Sequence, residues 1–488
     1  MTVSSSISPV RASTNSPFLN ARTLGMLRIP YFAGVRRFVS SISNFTKFTS
    51  LIFSETDSKI GPNIRHGPHQ DAQKSTNVMP LPIVFANVSS FACVKAIFFS
   101  LVVDIRPKCI IIGKKCKRKH KMNKIIYLDA AASALKPSAV IEAEANFMAN
   151  LYANTGRGVC ARAAAADDML NAARAAVANF IGADTHQVIF TSGTTDGMNR
   201  IVNIVRGTRD VKIIAVSDID HHSARMPWEN VVRNGNAKLV KIPLDKNYNI
   251  DCANMPVADV VVITAMSNVF GIAQDVKSII NAARNQNPNV ITIVDAAQYV
   301  AHSPIDVRAW DCDFMCFSGH KIGANTGVGV MYIKNPDLYS PDKLGGGMVQ
   351  SISGDNWNFD VSPNKFEAGT LPLTQIAGLP AAINAWRAWN GGADIISYIY
   401  DELSKMPRVK LLTMRDAKII SFIVDEMHVL DFGAMIGVHN VCVRVGNMCA
   451  SWAHAAMGIM GSIRISVGPW NTIDDARSVV DIIRGIVE

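Results

Sequence analysis

DVVVITAMSNVFGIAQDVKSIINAARNQNPNVITIVDAAQ, residues 259–298, decides the fold. It opens on an unbroken apolar run, DVVVITAM (259–266), and closes on another, VITIVDAA (290–297). Between them VKSIINAARNQ (276–286) spaces its apolar residues as a helix does. A β-branched run with no polar alternation has no face for water, so both its faces must be covered. Strand, helix and strand in that order predict a mostly parallel sheet with helices on either side.

The same alternation continues in both directions. QVIFT (187–191), VKIIAVS (211–217), AKLVKIP (237–243) and FMCF (314–317) are further β-rich runs, and IIYLD (125–129) is a short one. Pro137 opens a helical pattern, PSAVIEAEANFMANLY, where its missing N–H does no harm. After about residue 385 longer helices alternate with short strands such as VHNVCVRVG (438–446) and GSIRISVG (461–468), the pattern of a smaller α+β domain. The predicted organisation is a basic leader over 1–121, an N-terminal segment over 122–145 that packs with the small domain, a large domain over 146–384 and the small domain over 385–488. No internal repeat is visible.

The chain has 488 residues and a net charge of +10, but the charge sits at the front. Residues 1–124 carry 19 Lys and Arg against 4 Asp and Glu, and the remainder carries 30 against 35. A mildly acidic globular part argues against nucleic-acid binding. The first 54 residues contain no acid and six basic residues among many serines, the composition of an organelle transit peptide. Met122, just before the first strand, is the alternative start. A leader implies a mitochondrion or plastid, and a start at Met122 a cytoplasmic protein. The stretch 83–112 is broken by Lys95, Asp104 and Arg106 and falls short of the ~18–20 apolar residues a membrane span needs. The nine cysteines are odd in number and form no CxxC pair, so neither a zinc site nor a disulfide framework is expected. Cys312 and Cys316 read as core.

In open α/β sheets ligands bind beyond the carboxyl ends of the strands. The residues there are informative. SGTTDGMN follows QVIFT, and Thr194 and Thr195 at the start of a helix can either bind an anion or cap the helix. DIDHHSARMPW follows VKIIAVS. Its histidine pair, His221 and His222, has no third ligand at helical spacing for a metal, and an imidazole can stack on a flat heteroaromatic ring. Asp295, closing an apolar strand, wants a cationic partner such as a protonated pyridine nitrogen. CFSGHKIGANTGVGVMYI (316–333) then buries Ser318, His320 and Lys321 among apolar residues. Ser318 and His320 can donate to a phosphate. A Schiff base with an aldehyde removes the charge that burial of Lys321 penalises. Taken in order, these residues describe one site for pyridoxal phosphate.

Residues from about 125 to 488 resemble the class V aminotransferase family of fold-type I pyridoxal-phosphate enzymes, and most closely its group II cysteine desulfurases and selenocysteine lyases. The resemblance rests on YLDAAA, RG at 157–158, GTTDGMN, DHHSARMPW, SNVFG, VDAAQ, DVRAWDCDFMCFSGHK, TGVGVMY, LGGGM, FEAGT and RVGNMC. It implies a seven-stranded, mostly parallel sheet in the large domain. It implies that Lys321 bonds the cofactor, Asp295 pairs with the ring nitrogen, Gln298 reaches the ring hydroxyl and His222 stacks on the ring. Thr194, Thr195, Ser318 and His320 would hold the phosphate. Thr370 would reach the phosphate of a neighbouring subunit, which implies a homodimer with shared sites. Asn268 would touch cofactor or substrate, and Arg464, with Arg444, the substrate carboxylate. Cys449 fits an R-x-G-x-x-C motif whose cysteine attacks the sulfur of bound L-cysteine. That leaves a persulfide on the protein for a scaffold or relay protein of Fe–S cluster assembly.

The chain departs from the family at Gly156, where a histidine usually precedes RG, and at Asn447 and Met448, where two histidines usually precede the cysteine. Ala324 and Asn325 alter the turn after the lysine. A selenocysteine lyase, another class V lyase and a catalytically weak cofactor-binding paralogue are the alternative readings.

Overall fold

The structure, a computed structural model, describes residues 124–156 and 158–488. Residues 1–123, where a leader is expected and Cys93, Cys109 and Cys116 fall, and Arg157 lie outside the described residues.

The chain enters as β1 (Ile126–Tyr127), turns at Asp129–Ala132 and forms α1 (Ser138–Asn146). Helix α2 (Ala161–Ile181) ends at Gly182, whose φ of 72° is the left-handed conformation that glycine supplies at a helix end. Then follow β2 (Val188–Thr191), α3 (Thr194–Thr208), β3 (Ile213–Val216), α4 (His222–Arg233), β4 (Lys238–Lys241), β5 (Val260–Thr264), α5 (Val276–Gln286), β6 (Ile291–Asp295), β7 (Phe314–Ser318) and β8 (Gly329–Ile333). Helix α5 covers the span its periodicity predicts. Asp275 caps it through the Ser278 N–H, and Val276, Ile279, Ile280 and Ala283 form its buried stripe.

These strands form one seven-stranded sheet in the order β2-β8-β7-β6-β5-β3-β4. β3 to β7 run parallel, and β8 runs antiparallel to both its neighbours. The mostly parallel seven-stranded sheet is as expected. β8, inside TGVGVMYI, is not among the β-rich runs named from the sequence. Every residue of β5, β6 and β7 is buried, which explains the unbroken apolar runs. Cys312 and Cys316 are fully buried in this core, and burial pushes both thiols far up.

Beyond an exposed hairpin of β9 (Val349–Ser353) and β10 (Asn356–Phe359), α6 (Leu373–Arg387) returns to the large domain. The small domain contains α7 (Ala393–Leu403), β11 (Val409–Leu411), β12 (Ile420–Val424), α8 (Val429–Val438), β13 (Val441–Cys442), β14 (Arg444–Gly446), α9 (Ser451–Ala456), β15 (Ser462–Ile465) and α10 (Ile473–Val487). Four of these strands form a sheet in the order β11-β12-β15-β14, all antiparallel.

The N-terminal segment serves both domains. β1 pairs with β13, and Ile126 and Leu128 belong to the small-domain core. Helix α1 instead places Val140 in the large-domain core, packed on α6.

Candidate active site

A cavity of about 230 Å³ opens beyond the carboxyl ends of the large sheet. Parallel pairing of β5 and β6 sets Thr264 beside Asp295, and pairing of β6 and β7 sets Asp295 beside Cys316. The residues that follow these strands therefore converge. Thr194, Thr195, Asn268, Asp295, Gln298, Ser318, His320 and Lys321, all expected from the sequence, line the cavity.

One end is built to hold an anion. Gly193 precedes α3 with φ 148° and, as glycine, offers the helix no side-chain cap of its own. A Cβ on Gly329 would stand 2.5 Å from Gly193 Cα, so β8 needs glycine there for the β2–α3 turn to pack against it. Ser318 Oγ accepts the Thr194 N–H at 2.7 Å and lies 2.8 Å from Thr194 Oγ1. Thr195 Oγ1 lies 2.6 Å from Ser223 Oγ. Hydroxyls at a fifteen-residue helix's positive end suit a phosphate. His320 Nδ1, buried and unpartnered, lies in the same wall. Burial, then the charges of Lys321 and Lys136, pushes its imidazole down to about 4, so the ring is neutral.

At the floor Asp295 accepts the Ala297 N–H at 2.9 Å, and no cation pairs with it among the described residues. Burial raises its carboxyl to about 6, with the nearby Asp220 carboxylate adding to the rise. Gln298 donates to Ala131 O at 2.8 Å and leaves its buried Oε1 unpartnered. Lys321 Nζ donates to the Ala131 and Ala132 carbonyls at 2.6 and 3.2 Å. Burial, then the neighbouring Arg464 guanidinium, pushes its amine down to about 8. Asn325, unusual in the turn after the lysine, donates to Glu144 on α1 at 3.0 Å and so anchors that turn.

Of the two adjacent histidines it is His221 that lines the cavity, whereas His222, expected to face the ring, does not. His221 precedes α4, and its Nδ1 accepts the Ser223 N–H at 3.1 Å, which turns the imidazole into the cavity. Burial holds it near 4 and therefore neutral. His222 is the first residue of the helix, one step further round, and lines a neighbouring groove instead. Two adjacent histidines in a sequence do not reveal which is the cap. Ser223 was missed for the same reason.

Arg464 is 3 % exposed and lies beside the cavity. Antiparallel pairing of β14 with β15 sets it directly opposite Arg444. Both arginines bind Asp129: Arg464 Nη2 at 3.1 Å and Arg444 Nη2 at 2.6 Å. Arg464 Nη1 also donates to Asn268 O, and its Nε is unpartnered. The expected carboxylate clamp thus holds a carboxylate of the chain itself. Asp129 was legible in YLDAAA as a motif residue but not as their partner.

Cys449 is exposed, between β14 and α9. Asn268 Nδ2 donates to the Met448 carbonyl at 2.7 Å, which ties this loop to the cavity wall. Cys442 is half-buried. Thr370 is exposed and does not line the cavity.

The residues fit pyridoxal phosphate. A buried carboxylate without a cation, a flat neutral imidazole, an anion cradle and a lysine of lowered basicity face one space. Gln298 Oε1 and His320 Nδ1 are buried polar atoms without partners in its wall.

The Aminotransferase class-V family profile matches residues 126–479. A probable cysteine desulfurase of Vibrio cholerae is 32% identical over 383 residues, 75% of this chain and 94% of the relative. Among solved structures, a cysteine desulfurase from Thermococcus onnurineus NA1 superposes with a TM-score of 0.70 at 28% identity, over 74% of this chain and 94% of that one. The Escherichia coli cysteine desulfurase CsdA does so with a TM-score of 0.68 at 31% identity, over the same shares.

Proposed function

This chain belongs to the class V aminotransferase family, and from that premise we infer that it is a cysteine desulfurase, converting L-cysteine to L-alanine and taking the sulfur onto Cys449. The observation that carries the reading is the Asn268 hydrogen bond to the Met448 carbonyl, which joins the loop of an exposed cysteine to the cavity of Lys321.

Pyridoxal phosphate would supply an electron sink for the pair left at Cα when a proton leaves. Asp295 would hold the positive charge of its ring nitrogen, His221 would lie on its face and Gln298 Oε1 would meet its ring hydroxyl. The α3 end, with Ser318 and His320, would take the phosphate. Lys321 has the basicity to take a proton from the substrate Cα and return it near neutral pH. Arg464 would orient the substrate carboxylate, which displaces Asp129 from part of its fork.

The Cys449 thiolate attacks the substrate sulfur. A sulfur–sulfur bond forms as the carbon–sulfur bond breaks. The electron pair of the broken bond stays with the substrate carbon, which takes a proton and leaves as alanine. The persulfide sulfur passes to an acceptor or scaffold protein of Fe–S cluster assembly. We also read the chain as a homodimer. The exposed Thr370 and the β9–β10 hairpin, with Ile352 72% exposed, support that reading.

The test is product release from L-cysteine by the full chain loaded with pyridoxal phosphate, with reductant present. Equal alanine and sulfide, both abolished in Cys449→Ala, are expected. Alanine formation that survives in Cys449→Ala would overturn the role of that residue.

A further inference from the structure

The Cys449 loop is held in an unusual conformation. Met448 and Cys449 both have positive φ, 52° and 54°, which side chains other than glycine rarely adopt. Two such residues in succession persist only where their surroundings impose the geometry. The anchors are few. Ala450 N–H closes a turn onto Asn447 O at 2.8 Å. Asn268 takes the Met448 carbonyl. Asn447 Nδ2 donates to Ser451 Oγ at 3.4 Å, and two further anchors involve one residue, His222. Its backbone N–H donates to the Cys449 carbonyl at 2.8 Å, and its ring Nε2 accepts the Ser451 N–H at 3.2 Å.

We propose that His222 is a positioning residue for Cys449. It clamps the loop immediately after the thiol-bearing carbon and so aims the thiol along the edge of the cavity. The inference rests on the reading of Cys449 as the nucleophile.

Three observations separate this role from ordinary packing. Both groups that His222 engages belong to the first turn after the thiol: the carbonyl of the cysteine itself and the N–H two residues on. The ring must be neutral to accept at Nε2, which places its proton on Nδ1, and burial lowers its basicity accordingly. The ring is also braced. Trp452 stands edge-on to it, centroids 5.2 Å apart and planes at 81°, and Arg225 lies over Trp452 at 4.1 Å. The adjacent histidines thus divide the work: His221 serves the cavity and His222 the loop. The strand-to-helix turn that places one ring also places the other, so the cavity and the nucleophile share one support.

Two substitutions of the full chain test this. His222→Phe keeps a ring but cannot accept. His222→Gln has an amide oxygen that reaches the Ser451 N–H. The readouts are the rate at which iodoacetamide alkylates Cys449, followed by peptide mass, and kcat and KM for L-cysteine. Affinity for pyridoxal phosphate is measured alongside. His222→Phe should change the alkylation rate at least about three-fold and lower kcat about ten-fold, with KM and cofactor affinity within about two-fold of wild type. His222→Gln should recover most of both rates. Unchanged alkylation and kcat in His222→Phe, or a loss of cofactor affinity as in His221→Phe, would overturn the proposal. If the wild-type chain releases no alanine but alkylation still responds to His222, the desulfurase reading fails and the positioning role stands.

Discussion

Asp295 is a group placed at a cost until something positive meets it. Its carboxyl has an ordinary value near 4 and is raised to about 6 in the fold. The folded form therefore binds the proton more tightly than the unfolded form. Stability is unaffected at low pH and falls as pH rises from about 4 through 6. In cofactor-free protein Asp295→Asn should be more stable than wild type at pH 7.5, by about 3 kcal/mol at most, with the gap closing toward pH 4. Urea unfolding across that range measures it. The same variant, loaded with cofactor, should lose most of its activity. Lys321→Ala should lower kcat by at least ~10²-fold. At this scale the site was largely readable: an aspartate ending an apolar strand and a lysine just past the end of another are anomalies that ask for a ligand. What could not be read was a matter of phase. His221 and His222 differ by one helical step, and only the cap hydrogen bond to Ser223 distinguishes them.

Among the elements, β8 is the one whose direction the composition does not reveal. VGVMYI is as apolar as its parallel neighbours, and antiparallel pairing leaves no mark when both faces are buried. Its first residue, Gly329, has the space of a hydrogen atom against Gly193. Gly329→Ala should push the anion-binding turn outward and weaken pyridoxal phosphate affinity at least about ten-fold, readable by equilibrium titration. The β14–β15 pair was equally silent, since the register that opposes Arg444 to Arg464 is a tertiary fact. Their contributions differ. Arg464 is buried, so Arg464→Ala leaves Asp129 short of its enclosed partner and should cost about 3–5 kcal/mol. Arg444 is 49% exposed, and Arg444→Ala should cost under about 1 kcal/mol in denaturant unfolding.

For the whole molecule, the decisive connection is the two-residue strand β1. Leu128, the fully buried residue that follows β1, belongs to the small-domain core, while α1 packs on the large domain. Leu128→Ala should lower stability by about 2–5 kcal/mol, measured by denaturant unfolding of the full chain. The alternation of strands and helices was enough to predict the large sheet, but two residues of strand are too few to announce a partner far along the chain. If the homodimer is correct, Ile352→Asp on the exposed hairpin should shift sedimentation toward the monomer.

The turn between β1 and α1 places the Ala131 carbonyl on both Lys321 and Gln298. One end of that short run is fastened in the small domain, and its middle rests on the lysine amine. A rotation of the small domain would drag that carbonyl and alter the proton affinity of Lys321. The lysine, carried by the large domain, is thereby a strain gauge, reporting in its titration how the small domain is oriented against its own.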